Sequence, residues 1–310
     1  MTRRARTGWA FGALARAAFF CFASLFFPTV AGAAPIKIVA SFTILADMVR
    51  DVAGNHAEVV SLVGPGGDPH TFDPSPSDAG ALSGARLIVV NGFGLDGWIE
   101  RLAKSAEYTG EIVIASKDVH QRTMTETEGG ASRVVTDPHA WQDPRNGVLY
   151  IRAIEEALKT ADPANASDYT AAAGKTIAAL EAIDAETRSA ISAIPASKRK
   201  VITSHDAFGY FAVAYQVELL APEGLSTDQE PSASTVARLI DQIRAEHIHA
   251  VFIENMTDPR LIEMIRSETG AADSGTLYSD SLSPPDGPAP TYLAMLRYNI
   301  GKLVAAMTVN

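Results

Sequence analysis

One cysteine, Cys21, is all that 310 residues contain. It falls in the apolar N-terminal stretch, so the chain beyond residue 33 has none, which excludes both a disulfide framework and thiolate metal ligation there. Positive charge is also scarce: 26 Lys and Arg face 36 Asp and Glu, a net charge of −10. That balance disfavours nucleic acid and anionic lipid as partners. Apolar runs of membrane-spanning length are missing as well. The N-terminal one, AAFFCFASLFFPTV at residues 17–30, falls short of the ~20 residues a spanning helix needs. Neither His-Glu-x-x-His nor Gly-x-Ser-x-Gly occurs, which removes two common hydrolase signatures.

The same N-terminus carries Arg3, Arg4, Arg6 and Arg16 ahead of the end of that run, and Ala31-Gly32-Ala33 after it. A basic region, an apolar core and a small-residue site in this order predict a secretory signal peptide over residues 1–33, cut after Ala33 or Ala34. Cys21 lies inside it without the small-residue context of a lipidation site, so it reads as a small hydrophobe and no lipid anchor is expected. The Arg3-Arg4 pair hints at twin-arginine export, but its flanks fit ordinary secretion. Losing four arginines leaves 22 basic against 36 acidic residues, a net charge near −14 on an exported, soluble chain.

Beyond residue 35, short apolar segments alternate with helical patterns. IKIVASF, AEVVSLVG, ARLIVVNG and EIVIAS read as strands, ILADMVRDVAG as a helix closed by Gly54, and Ser75-Pro76 as the capped start of another. Residues 199–282 repeat the plan, with RKVITSH, VELLAP, AVFIE and TLYSD as strands between the helices PSASTVARLIDQIRAEH and DPRLIEMIRSETG. APTYLAMLRYNIGKLVAAM closes the chain as a helix. Alternation of this kind predicts an α/β protein whose two halves are mainly parallel sheets flanked by helices. Between the halves, Ala173, Ile177, Leu180, Ile183, Ile191 and Ile194 recur at helical spacing. A helix of ~28 residues would be a stiff rod of ~42 Å. The expected layout is an N-terminal lobe at 34–160, one long connecting helix within 161–197, and a C-terminal lobe at 198–310.

Two of the seven histidines share a frame: GDPHTFDP holds His70 and TDPHAWQDP holds His139. Proline fixes its own φ and pushes the preceding Asp into extended backbone, so Asp-Pro-His presents its imidazole from a stiff loop. One such histidine alone is usually a loop residue that caps or packs; the repeat points to function. His205 ends KVITSH, and the carboxyl end of a parallel strand is where open α/β sheets bind ligands. A buried core histidine is the alternative there. Asp280 stands at the matching place after TLYSD, ahead of the stiff Pro284-Pro285, where an Asp by itself would be a helix cap. His56, His120 and the His247-x-His249 pair read as structural or solvent-facing. Three imidazoles and one carboxylate without a thiol make a transition-metal set. Separations of 69, 66 and 75 residues mean that only a fold can bring them together.

These stretches resemble the metal-specific solute-binding proteins of bacterial ABC importers, the zinc, manganese and iron class. GDPHTFDPSPSD, VVNGFGLDGW, DPHAWQDPRN, TSHDAFGYF, VFIENM around Glu254 and LYSDSLSPP carry the resemblance, which covers nearly all of the chain after residue 33. It implies two α/β lobes joined by one long helix, with a metal ion held between them by His70, His139, His205 and Asp280, two from each lobe. The implied cargo is Zn2+, with Mn2+ or Fe2+ as alternatives, because relatives that import manganese or iron usually present Glu where this chain has His205. Three neutral imidazoles and Asp280 leave the site at +1 and rich in nitrogen, which suits zinc. The implied partners are a permease in the inner membrane with its cytoplasmic ATPase, and a periplasmic metallochaperone, around a periplasmic monomer. One departure stands out. Many zinc-importing relatives carry a long His/Asp-rich loop where this chain has SKDVHQRTMTETEGGASRVV, with a single His and a few acids, so high-capacity metal collection by that loop is not expected.

Two other classes compete. A zinc hydrolase needs an open coordination position for water, which Asp280 would close. A Ser204-His205-Asp206 triad would point its members to opposite faces of an extended strand. An adhesin on the same fold is inseparable from a transport component by sequence. The expectation is a binding protein and not an enzyme.

Overall fold

The computed structural model describes residues 34–128 and 131–310; the expected signal peptide, Cys21 included, lies outside the described residues. The first half runs β1 (Ile36–Ala40), α1 (Thr43–Ala53), β2 (Ala57–Ser61), α2 (Pro76–Ala81), β3 (Leu87–Val90), α3 (Trp98–Ser105), β4 (Glu111–Ile114), β5 (Thr123–Glu128), β6 (Ala131–Thr136) and α4 (Pro144–Ala161). Helix α5 (Ala166–Ser192) follows. The second half runs β7 (Lys200–Ile202), α6 (Gly209–Tyr215), β8 (Glu218–Leu220), α7 (Ala233–Glu246), β9 (Ala250–Glu254), α8 (Arg260–Thr269), β10 (Ala272–Leu277) and α9 (Tyr292–Val309). The outcome is the expected α/β architecture of two lobes, each a parallel sheet flanked by helices, joined by a long helix.

The two sheets share one topology. The first is ordered β2-β1-β3-β4 and the second β8-β7-β9-β10, with every pair parallel. β3, LIVV, is buried throughout, as a central parallel strand covered on both faces must be. The carboxyl ends of β1 and β7 lie where strand order reverses, the place at which open sheets leave a crevice.

Helix α5 carries its apolar stripe across both lobes. Tyr169, Ala173, Leu180 and Ile183 join the core of the first, and Ile191 joins a core of the second. The sequence anticipates one crossing helix, and α9 is another. Its Tyr292, Met295 and Leu296 pack into the first core while Leu303, Ala306 and Met307 pack into the second. Each such large apolar side chain, fully buried, contributes roughly 1.5–3 kcal/mol. Residues Pro35–Asn310 accordingly form one compact unit.

Three local expectations shift. β7 ends at Ile202, three residues before His205, which sits in an isolated bridge to Glu223. β10 starts at Ala272 and ends at Leu277, with a register break between Asp273 and Thr276, so Asp280 lies in the loop beyond it. The polar segment around residues 116–136 contains the antiparallel hairpin β5-β6. Among the described residues no helix is long and apolar enough to cross a membrane.

Candidate metal centre

The two Asp-Pro-His frames close in the same way. The main-chain N of His70 donates to Asp68 Oδ1 at 2.8 Å, and that of His139 donates to Asp137 Oδ1 at 2.9 Å. Each aspartate thus makes a tight turn through its own side chain, with the intervening proline holding it extended. The carbonyls of the two prolines are pinned by one stretch of sequence: Trp98 Nε1 donates to Pro69 O at 3.1 Å, and Asn91 Nδ2 to Pro138 O at 2.9 Å. Asn91 is itself held, its Oδ1 accepting from Tyr150 Oη at 2.6 Å. The second Asp-Pro of the two frames differs in use. Asp143 caps α4, accepting from Arg145 N with Pro144 in the first turn, whereas α2 starts at Ser75 and Pro76.

His70, His139, His205 and Asp280 meet between the lobes, with one ligand atom from each within 4.8 Å of the others. Nε2 of His139 lies 3.2 Å from Nε2 of His70 and 3.4 Å from Nε2 of His205. Asp280 Oδ2 lies 3.2 Å from His70 Nε2 and 3.1 Å from His205 Nε2, and its Oδ1 is 3.7 Å from His139 Nε2. A tetrahedron with arms of ~2.0 Å has edges of ~3.3 Å. The side chains of His139, His205 and Asp280 are fully buried and that of His70 is 5% exposed. Both Asp280 oxygens are buried without an aligned hydrogen bond, which is costly unless a cation completes the site.

Two more carboxylates stand behind the rings. His139 Nδ1 is 2.9 Å from Asp137 Oδ1, so the neutral ring that donates there turns the Nε2 lone pair toward the cluster. Asp137 Oδ2 in turn accepts from Arg122 Nη1 at 2.8 Å. The pair is so close to α6 that any side chain at Gly209 would collide with the Arg122 guanidinium and the Asp137 carboxylate. His205 Nδ1 stands 2.7 Å from Glu254 Oε2, off the axis of a good hydrogen bond, while its main-chain N donates to Glu254 Oε1 at 2.9 Å.

The metal-free electrostatics follow from this packing. Burial disfavours a charged His139, but Asp280 and the hydrogen-bonded Asp137 outweigh it and lift the ring to about 9. Burial also opposes charge on His205, and Glu254 with Asp280 raise it well above the ordinary value. Burial alone would push Asp280 up; the positive His139 and His205 hold it well below the usual carboxylate range. Glu223, beside the cluster, is raised to about 7 by burial, with Glu254, Asp68 and Glu230 adding to the rise against His205.

All four candidate ligands from the sequence therefore fall in one cluster. The other histidines stay apart from it. His56 Nε2 pairs with Asp168 at 3.0 Å, His120 and His249 are exposed, and His247 is the left-handed cap of α7. Asn91, Trp98, Asp137 and Glu254 only marked motifs in the sequence, and Arg122 had no role there. Asp137 was legible in principle, because its frame repeats that of Asp68.

Residues 38–306 match the family described as zinc-uptake complex component A, periplasmic. Among curated proteins, the chain is 33% identical over 264 residues to the iron-binding protein YfeA of Yersinia pestis, covering 85% of this chain and 84% of that one. It is 29% identical over 273 residues to the manganese-binding lipoprotein MntA of Halalkalibacterium halodurans, covering 88% and 89%. Its fold is similar to that of the periplasmic zinc binding protein TroA from Treponema pallidum, with a TM-score of 0.80 at 28% identity over 88% of this chain and 99% of that one.

Proposed function

Because the chain belongs to the zinc-uptake complex component A family of metal-binding substrate-binding proteins of ABC transporters, we propose that it captures Zn2+ outside the cytoplasm and hands it to an inner-membrane permease driven by a cytoplasmic ATPase. The observation that carries this reading is the buried convergence of His70, His139, His205 and Asp280 between two lobes. We assign these four as the ligands, with lobes at 34–160 and 198–310 around a connector at 161–197. The cluster binds and releases; it transforms nothing, and the reading includes no enzymatic activity.

Zinc is preferred because three of the four donors are imidazole nitrogens and the spacing suits a four-coordinate ion. Manganese or iron is the second reading, favoured by relatives named for iron and for manganese. The reading places the protein in the periplasm as a monomer, supplied with metal directly or by a metallochaperone. The reading includes no lipid anchor, although several relatives are named as lipoproteins; labelling with radioactive palmitate would expose an anchor at Cys21.

The deciding experiment is growth of a deletion strain under chelation, with zinc, manganese or iron restored singly, alongside metal analysis of protein purified from its own compartment. Zinc rescue and one bound zinc per chain are expected. Rescue by manganese or iron alone would overturn the choice of cargo, and an absence of bound metal would overturn the reading itself.

A further inference from the structure

By chain order Asp280 belongs to the second lobe, since it follows β10. The hydrogen bonds of its neighbours say otherwise. Ser279 O, one residue before it, accepts from Trp141 Nε1 at 2.9 Å and from Gln142 Nε2 at 2.7 Å, both in the His139 frame. Gly66 N, ahead of His70 and at φ +74°, donates to Ser281 Oγ at 2.8 Å. Thr43 Oγ1, in the first turn of α1, accepts from Leu282 N at 2.9 Å. Farther on, Tyr292 N donates to Asp47 Oδ2 at 2.6 Å, and Tyr292 Oη to Trp141 O at 2.5 Å. Leu282 and Ala289 pack into the first lobe's core. On the other side, Asn255 Nδ2 holds Ser281 O at 3.2 Å and Asn255 N holds Leu277 O.

His205 is anchored in the opposite sense. Its main-chain N goes to Glu254, its carbonyl accepts from Thr203 Oγ1 at 2.9 Å, and Asp206 N donates to Gly224 O, all within the second lobe.

We infer that His70, His139 and Asp280 form a preassembled three-ligand half-site on the first lobe, and that His205 is the one ligand that withdraws when the lobes part. This rests on the proposed capture of zinc between the lobes and specifies how the ion is held during release. A divalent ion in the opened protein keeps two imidazoles and a carboxylate, and closure adds the third imidazole with Glu254 behind it. Parting the lobes breaks contacts such as Thr227 Oγ1 to Asp68 Oδ2, 2.6 Å, without disturbing the bonds at Ser279 and Leu282.

The test is distance measurement between paired spin labels. Beyond residue 33 the chain has no native cysteine, so labels go only where they are introduced: Glu100→Cys on α3, Asp286→Cys on the loop after Asp280 and Ala245→Cys on α7, all exposed positions. Removing zinc should leave the 100–286 distance unchanged while the 100–245 and 286–245 distances shift. In addition, His205→Ala should still bind one zinc, more weakly, with its 100–245 distance left at the zinc-free value. The inference is overturned if position 286 moves together with 245, if no distance changes, or if His205→Ala loses zinc binding altogether. Calorimetry on the labelled wild type separates the two levels. Failure to bind zinc there sinks the capture reading, whereas normal binding with the wrong distance pattern sinks only the half-site.

Discussion

Glu254 holds His205 at both ends, its Oε1 taking the main-chain N–H at 2.9 Å and its Oε2 standing 2.7 Å from ring Nδ1. A carboxylate in this position orients the ring and strengthens its other nitrogen as a donor, and losing such a partner costs about 10–100-fold in metal affinity. Glu254→Gln keeps an oxygen for the main-chain N–H and removes the charge. Zinc calorimetry should therefore show a loss in that range with the melting temperature of the metal-free protein little changed. Wild-type affinity would reduce Glu254 to a packing role.

Alanine at His70, His139, His205 or Asp280 should weaken zinc binding sharply while circular dichroism stays native, because each side chain extends from a loop into the cluster. Asp280→Ala should in addition strip the protonated His139 and His205 of the carboxylate between them, so its metal-free form should be less stable than wild type near neutral pH. Two or more of these variants binding zinc like wild type would refute the ligand set.

Affinity should depend on pH over a higher range than free imidazole, near 6.5, would set. With His139 raised to about 9 and His205 also raised, both rings hold protons at pH 7 that zinc must displace. Apparent affinity should climb from pH 7 to about 9, by up to about a hundredfold per unit while two protons leave. The stability of the metal-free protein runs the other way. Because folded His139 lies above its unfolded value of 6.5, its contribution is complete below that pH and is lost as pH rises through about 9. Glu223, raised to about 7, adds in the same direction. Scanning calorimetry should find the metal-free melting temperature falling from pH 6 to 9 and the zinc-dependent increment growing. Parallel slopes for the two forms would contradict this protonation scheme.

Asn91→Ala should cost stability as well as affinity. It strands the buried Tyr150 hydroxyl and the Pro138 carbonyl, a loss of roughly 1–3 kcal/mol. The freed Pro138 carbonyl should also loosen the His139 frame and lower zinc affinity severalfold. Denaturant melts and calorimetry on one preparation read both effects; an unchanged melt would mean that water replaces the amide without cost.

Much of this was legible in the sequence because local physics wrote it there. The stripe from Ala173 to Ile191 needs only helical spacing, and the stiffness of Asp-Pro-His needs only proline. The hairpin was not legible: β5 reads TMTETE and β6 exposes Val134 at 73%, so neither strand carries the apolar signature of a buried one. β10 was clipped because ADSGTL is polar and breaks register, which hides its first residues. Asn91 and Trp98 stood in a conspicuous motif, but nothing local reveals that they reach the carbonyls of Pro138 and Pro69 in two distant loops. The reach of Gln142 to Ser279 is likewise a property of the assembled lobes.

The return of residues 282–296 to the first core also bears on the order in which the protein can be made. Chains of this size usually fold domain by domain from the N-terminus as they emerge. Here Ile38, Val39 and Trp141 wait for Leu282, Tyr292, Met295 and Leu296 before their shared core is sealed. The first sheet can pair early, but a chain halted after α8 would leave an apolar opening where α9 belongs. Neither half is then a self-sufficient folding unit, and a nascent chain stays open until synthesis has reached its final helix.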